Sequence, residues 1–219
     1  MMNRRAWIGL SLASGGSLAC RKKAEAEAPL QPHPPHPDLT WQPLTDLDSW
    51  QNTMGGGWSE SEPGIFRLSF GEALSAVKWT GPAPTLPFEI EWQARRVDGV
   101  DFFSALTFPA RPSGECLTWV VGGWGGGLVG ISSIDDKDAA GNETTRRMSF
   151  EKGRWYALKL RRAGEKLTAW IDGSPVVDLD TTGRKLSLRP GPIEACAPFG
   201  LATWQSTGEF KDLRWRTAP

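Results

Sequence analysis

Phe88-Glu89-Ile90-Glu91-Trp92-Gln93-Ala94-Arg95 alternates apolar and polar side chains without a slip. Phe88, Ile90, Trp92 and Ala94 fall on one face of an extended chain, and Glu89, Glu91, Gln93 and Arg95 fall on the other, which is the pattern of a β-strand with one buried side. The same period returns in Tyr156-Ala157-Leu158-Lys159-Leu160-Arg161. Ala163-Gly164-Glu165 then supplies a turn, and Leu167, Ala169 and Ile171 line one face of a returning strand. Asp172-Gly173 turns the chain again into Val176-Val177-Asp178-Leu179, a hairpin signal. Working outward, the spacing predicts further strands over residues 65–70, 76–80, 102–108, 117–121, 128–133, 146–150, 201–204 and 210–215. No segment has the length and 3.6-residue period of a helix, and only a short helical turn fits around Leu44 to Trp50. Many short strands without βαβ alternation predict an all-β fold, two antiparallel sheets packed face to face as a jelly-roll sandwich.

Composition agrees with short strands and turns. The 219 residues include 25 Gly and 17 Pro, and 12 Trp stand against a single Tyr. Twenty-five basic residues balance 25 acidic ones, so no long-range field draws the chain onto nucleic acid or an anionic membrane. Residues 1–20 read as an export signal: Arg4 and Arg5, an apolar run from Ala6 to Leu12, then small residues to Cys20. The apolar run is too short to span a bilayer core of about 30 Å. Ser17-Leu18-Ala19-Cys20 resembles a bacterial lipobox, so Cys20 is either a lipidation site or an incidental cysteine beside a cleavage point. The expectation is an exported protein, periplasmic or at the cell surface, whose contact with membrane is an N-terminal lipid anchor. Residues 21–40 form a proline-rich linker, and the folded domain is expected over 41–219.

Both histidines, His33 and His36, fall in that linker. The domain therefore has no histidine, which excludes Ser-His-Asp and Cys-His nucleophiles and histidine-based zinc sites. Catalysis would have to use carboxylates, Lys, Arg, Tyr or backbone groups. Cys116 and Cys196 form a disulfide candidate in an exported chain. Closing so long a loop would contribute roughly 4 kcal/mol in the chain-entropy model. Two separate buried thiols are the other reading, since sequence does not give their distance.

Leu44-Thr45-Asp46-Leu47-Asp48-Ser49-Trp50, the strand beginning at Phe88-Glu89, the hairpin from Trp155-Tyr156 to Val177-Asp178, and the closing segments Phe199-Gly200-Leu201 and Phe210-Lys211-Asp212-Leu213 follow one another in a recognisable order. That order resembles the 3-keto-disaccharide hydrolase domain family, often labelled family 16 glycoside hydrolase. The resemblance covers roughly Leu44 to Arg216 and implies a concanavalin A-like fold whose face or rim meets carbohydrate. It also implies a substrate already oxidised to a ketone. A carboxylate base would remove the acidified neighbouring proton, and hydrogen-bond donors would stabilise the enolate. The E-x-D-x-x-E strand of family 16 glucanases is absent, because Glu91 is followed by Trp92, Gln93 and Ala94. Glu89 and Glu91 therefore read as a solvated outer face.

Two stretches concentrate candidate chemistry. Trp124 lies among five glycines, Gly122, Gly123, Gly125, Gly126 and Gly127. An indole in such a setting is either a sugar-stacking platform or a core residue beside a bulged turn. Trp204, near a predicted strand end, is a second stacking candidate, whereas Trp119 reads as core. The loop from Asp135 to Glu143 gathers Asp135, Asp136, Asp138, Asn142 and Glu143. Crowded carboxylates can hold a proton-accepting base or a divalent cation such as calcium, though the spacing fits no EF-hand, and a solvated polar loop is the bland alternative. On the resemblance, Asp135 or Glu143 is the base, Asn142 or Arg147 the donor and Trp124 the platform. Arg146 and Arg189 are further cations for substrate oxygens. The rival reading is a non-catalytic carbohydrate-binding module or surface interaction protein using the same Trp124 face.

Overall fold

The computed structural model describes residues 39–218. The export signal, Cys20 and the linker histidines His33 and His36 lie outside the described residues. In chain order the strands are β1 (Gln42–Pro43), β2 (Trp50–Met54), β3 (Trp58–Glu62), β4 (Ile65–Leu68), β5 (Leu74–Trp79), β6 (Phe88–Gly99), β7 (Ser104–Pro109) and β8 (Cys116–Gly122). They continue as β9 (Leu128–Ser132), β10 (Arg146–Arg147), β11 (Tyr156–Ala163), β12 (Lys166–Ile171), β13 (Ser174–Asp180), β14 (Gly200–Trp204) and β15 (Ser206–Thr217). The first sheet has eight strands in the order β13-β12-β11-β6-β15-β4-β3, with β1 added on β15. The second has seven, in the order β10-β9-β8-β7-β14-β5-β2. Every pairing is antiparallel, and the fold is the all-β jelly-roll sandwich that the alternation predicts.

The alternation of β6 explains the core. Phe88, Ile90, Trp92 and Ala94 point between the sheets and meet Leu106, Phe108, Trp119 and Leu201 of the second sheet. Trp92 and Trp119 meet edge to face with ring centroids 5.5 Å apart, and Trp92 donates its indole N–H to Ser104 Oγ at 3.2 Å. Such ring pairs add roughly 0.5–1.5 kcal/mol beyond area burial.

Sequence periodicity misses β2 and β3, the end strands of the two sheets, which face each other at one edge of the sandwich with the Trp50 and Trp58 ring centroids 5.6 Å apart. Both are edge strands with polar runs such as Gln51-Asn52 and Ser59-Glu60, and an edge does not impose the apolar alternation of a central strand. The short helical turn expected near Trp50 is a 3-10 turn over Leu47–Ser49, with the Asp46 side chain accepting from the Asp48 N–H.

The two outer faces differ in chemistry. On the first sheet, Glu89 lies on the outer face as expected but is not solvated, with only 3% of its surface exposed. Arg216 donates to it at 2.6 and 2.9 Å, and Lys159 lies 3.5 Å away, so neighbouring long side chains cover the carboxylate. Glu209 is likewise gripped by Arg67 and Arg95. On the second sheet the outer face is apolar: Ala76, Ala105, Val120 and Ala202 form a buried cluster there. A 3-10 turn over Pro192–Cys196 covers part of it. Gly200 makes that cover possible, since a Cβ at that position would come within 2.7 Å of Cys196 O.

Candidate functional site

Between β8 and β9 the chain makes one tight turn at Gly123–Gly126. Gly122 (φ 80), Trp124 (φ 50), Gly125 (φ 81) and Gly126 (φ 100) are all left-handed. This conformation costs an ordinary residue roughly 1–2 kcal/mol, and flanking glycines restrict that cost to Trp124. Gly122 is also required by space, because a Cβ there would meet the Arg96 guanidinium at 2.8 Å.

Two charged residues hold the turn. Arg96, buried beneath it, donates to Gly126 O at 3.0 Å and lies 5.2 Å from the centre of the Phe103 ring. Asp101 accepts from the Gly125 N–H and the Phe102 N–H, each at 2.7 Å. Burial pushes the Arg96 guanidinium below its ordinary value, and the nearby Asp101 charge opposes that shift. Trp124 is thus fixed with 38% of its surface exposed.

The indole stands at a cavity of about 360 Å³ over the outer face of the second sheet. Trp204, Phe102 and Val120 contribute apolar walls, with the Trp204 and Phe102 ring centroids 6.3 Å apart. Thr118 and Ser132, facing each other across β8 and β9, bring hydroxyls to the lining. Arg189 belongs to the same lining, its guanidinium 5.8 Å from the Trp124 ring centre. The dimensions fall within the range of about 300–1,000 Å³ common for small-ligand sites.

The structure brings Asp135 and Glu143 together, but around Arg184 and not in this cavity. Asp135 accepts from Arg184 Nε at 2.6 Å and from the Lys185 N–H at 2.8 Å, and Glu143 pairs with the same guanidinium. The Lys185 N–H and then Arg184 hold the Asp135 carboxyl below its ordinary value, and Arg184 does the same for Glu143. Asp136 pairs with Lys185, and Asp138 lies 3.6 Å from Arg189. The chain's own cations face these carboxylates. Among the described residues no group of three His, Cys, Asp or Glu is placed to hold a metal.

Asn142 is a scaffold residue. Its amide donates to Ile131 O at 2.8 Å and Asp138 O at 2.7 Å, and its oxygen accepts from Thr144, fastening the loop onto β9. Arg147 is exposed on the edge strand β10 and does not line the cavity. Cys116 and Cys196 are both unbonded and buried, the arrangement of the second reading, two separate thiols. Their sulfurs face different carbonyls, Gly114 O and Pro198 O for Cys116 and Leu201 O for Cys196. Trp124 and Trp204, in contrast, do converge on one cavity, and Arg189 joins them. Sequence reading missed Arg96, Asp101 and Phe102.

No family model matches the chain. An extracellular exo-alpha-L-arabinofuranosidase of Streptomyces chartreusis is 23% identical over 128 residues, covering 58% of this chain but only 15% of that protein. Among solved structures, the carbohydrate-binding module CBM66 from Bacillus subtilis superposes with a TM-score of 0.54 at 16% identity, covering 77% of this chain and 96% of the module. The Crh5 transglycosylase in complex with NAG gives 0.56 at 14% identity, over 82% and 84% of the two chains. The carbohydrate recognition domain of Emp46p in its metal-free form gives 0.53 at 12% identity, over 79% and 90%. The chain shares the lectin-like jelly-roll with these structures.

Proposed function

We propose that the domain is a carbohydrate-binding module that holds a sugar unit in the cavity beside Trp124 and Trp204. The observation that carries this reading is Trp124: a large indole lifted off the core by a left-handed glycine turn, held by Arg96 and Asp101, and partly exposed at the cavity. An indole offers its apolar face to the C–H face of a pyranose. Thr118, Ser132 and Arg189 supply hydrogen-bonding groups for its hydroxyls. The carbohydrate-binding module CBM66 and the carbohydrate recognition domain of Emp46p, which share the fold, support the same reading.

The carboxylates support binding over hydrolysis. Glycoside hydrolysis commonly uses two carboxyl groups flanking the scissile bond. Asp101 is the carboxylate among the cavity's lining residues, and both of its oxygens accept backbone N–H groups. The catalytic reading, Asp135 or Glu143 as base on a 3-keto-glycoside, rests on the family resemblance. A carboxylate held ionised by Arg184 is a weakened base for that step. Export on the signal of residues 1–20, with the module tethered through residues 21–40, completes the proposal.

Titration calorimetry with a panel of neutral oligosaccharides, run beside a turnover assay on 3-keto-glycosides, tests it. Binding without turnover, weakened about thirtyfold in Trp124→Ala at an unchanged melting temperature, is the expected result. Turnover that disappears in both Asp135→Asn and Glu143→Gln replaces the module with a hydrolase.

A further inference from the structure

The opposite face of the sandwich carries a second cavity, of about 770 Å³, on the outer side of the first sheet. It lies where β15 shifts register against β6 between Lys211 and Arg214, and Trp170, Gln93, Asp212 and Pro43 contribute to its lining. Around it, β6, β11 and β15 present Arg95, Lys159, Arg161, Lys211, Arg214 and Arg216. The carboxylates Glu89 and Glu209 lie beneath these cations, 3% and 1% exposed, so positive charge is uppermost although the whole chain is neutral. Glu91 and Asp212 are the acids within the cavity lining, and each is engaged: Arg214 donates to Glu91 at 2.9 Å, and Gln93 to Asp212 at 2.7 Å.

Three half-buried indoles hold the cations in place. Arg95 and Lys211 lie 4.6 and 4.5 Å from the centre of the Trp155 ring. Arg214 and Arg216 lie 4.7 and 4.5 Å from that of Trp41, and Lys159 lies 5.8 Å from that of Trp170. From Arg95 to Glu89 the strand advances by six residues, about 20 Å at the usual rise, so the basic stripe has room for several sugar rings.

We propose that this face is a binding surface for an acidic polysaccharide, a chain carrying uronate groups. Its carboxylates would meet the partly exposed lysines and arginines, of which Arg214 is the most open, and its rings would occupy the cavity beside Trp170. Charge spacing favours this occupant over nucleic acid. A DNA duplex presents a charge about every 1.7 Å and calls for a dense row of uncommitted cations. Here Arg95, Arg214 and Arg216 each already share a carboxylate of the chain, which suits an anion repeated once per sugar. A flat anionic bilayer would leave the cavity unused. The proposal is independent of the Trp124 site.

Affinity electrophoresis of the full chain through gels containing polygalacturonate or its fully methyl-esterified form is the test, with double-stranded DNA and phosphatidylglycerol vesicles as competitors. Retardation by polygalacturonate alone is expected, falling about tenfold in affinity in the Lys159→Gln/Lys211→Gln variant and persisting in Trp124→Ala. Lys211→Gln by itself gives a smaller loss in the same direction, and a thermal melt of each variant checks the fold. Equal retardation by the esterified polymer, no retardation at all, tighter binding of DNA or vesicles, or loss in Trp124→Ala but not in the lysine variants each overturns the proposal.

Discussion

Trp124 owes its position to residues far from it in the chain. Its glycine setting is visible in the sequence, but Asp101 and Arg96 reach the turn across 24 and 30 residues, and their role becomes readable only once β6 and β8 are placed. The acidic loop shows the same limit: Asp135 and Glu143 are plainly clustered, yet Arg184, 49 and 41 residues away, decides what they do. Asp101→Ala removes the acceptor of two backbone N–H groups and the charge near Arg96. We expect sugar binding to weaken roughly tenfold with a stability loss of about 1 kcal/mol, and Asp101→Asn, which keeps one acceptor, to recover part of both in paired calorimetry and urea melts. The cysteines give a second residue-scale expectation. Burial pushes the Cys196 thiol up to about 12 and raises that of Cys116, so little thiolate is available for attack. Iodoacetamide at pH 8 followed by mass spectrometry is expected to leave both unmodified in the native protein and to alkylate both after denaturation. A bond between Cys116 and Cys196 would show instead as resistance under denaturing, non-reducing conditions.

Central strands were legible, and of the end strands β10 and β13 were legible whereas β2 and β3 were not. β6, β11 and β12 each face the core on one side and a charged surface on the other, and that asymmetry writes a clean alternation. β7, β8 and β9 are buried along nearly their whole length, because the outer face of the second sheet is covered in turn, so they read as apolar runs without a preferred face. Part of that cover is the segment Pro192–Cys196, packed on β5 and β14, which carries Pro192 and Ile193 to the cavity lining, and part is the loop through Ala139 and Asn142 fastened onto β9. Gly200→Ala tests the coupling between strand and cover. Its methyl group would lie 2.5 Å from Val77 O and 2.7 Å from Cys196 O, both backbone atoms, so the turn must move. The expected cost is about 1–3 kcal/mol in chemical denaturation, together with weakened sugar binding in a variant that still folds. Unchanged binding would mean that the cover does not shape the cavity.

At the scale of the whole sandwich, stability depends on the carboxylates laid under the first sheet's basic surface. Burial alone would raise Glu89 and Glu209, but Arg216 and Lys159 around the first, and Arg67 and Arg95 around the second, outweigh it and hold both below the usual carboxylate value. A lowered folded-state pKa gives stabilisation that is complete above the unfolded value of about 4.3 and is lost as pH falls through the folded one. Melting followed by circular dichroism is therefore expected to change little from pH 8 to about 5 and to drop below about 4. Glu209→Gln should lose about 1–3 kcal/mol at neutral pH and show a shallower acid decline, whereas an acid limb identical to the parent's would place the titrating groups elsewhere. The jelly-roll layout was readable because it follows from strand number and alternation; the distribution of charge between its faces was not, since it depends on which strands become neighbours. The pairing of Gln42 with Trp215 has a practical consequence. The first and last strands of the domain run side by side, so a short peptide could splice residue 217 to residue 41, with new ends cut at the exposed Gly164-Glu165 hairpin tip. Such a circular permutant should fold and keep both cavities, which would let the domain be grafted into a host protein from an entirely different point on its surface.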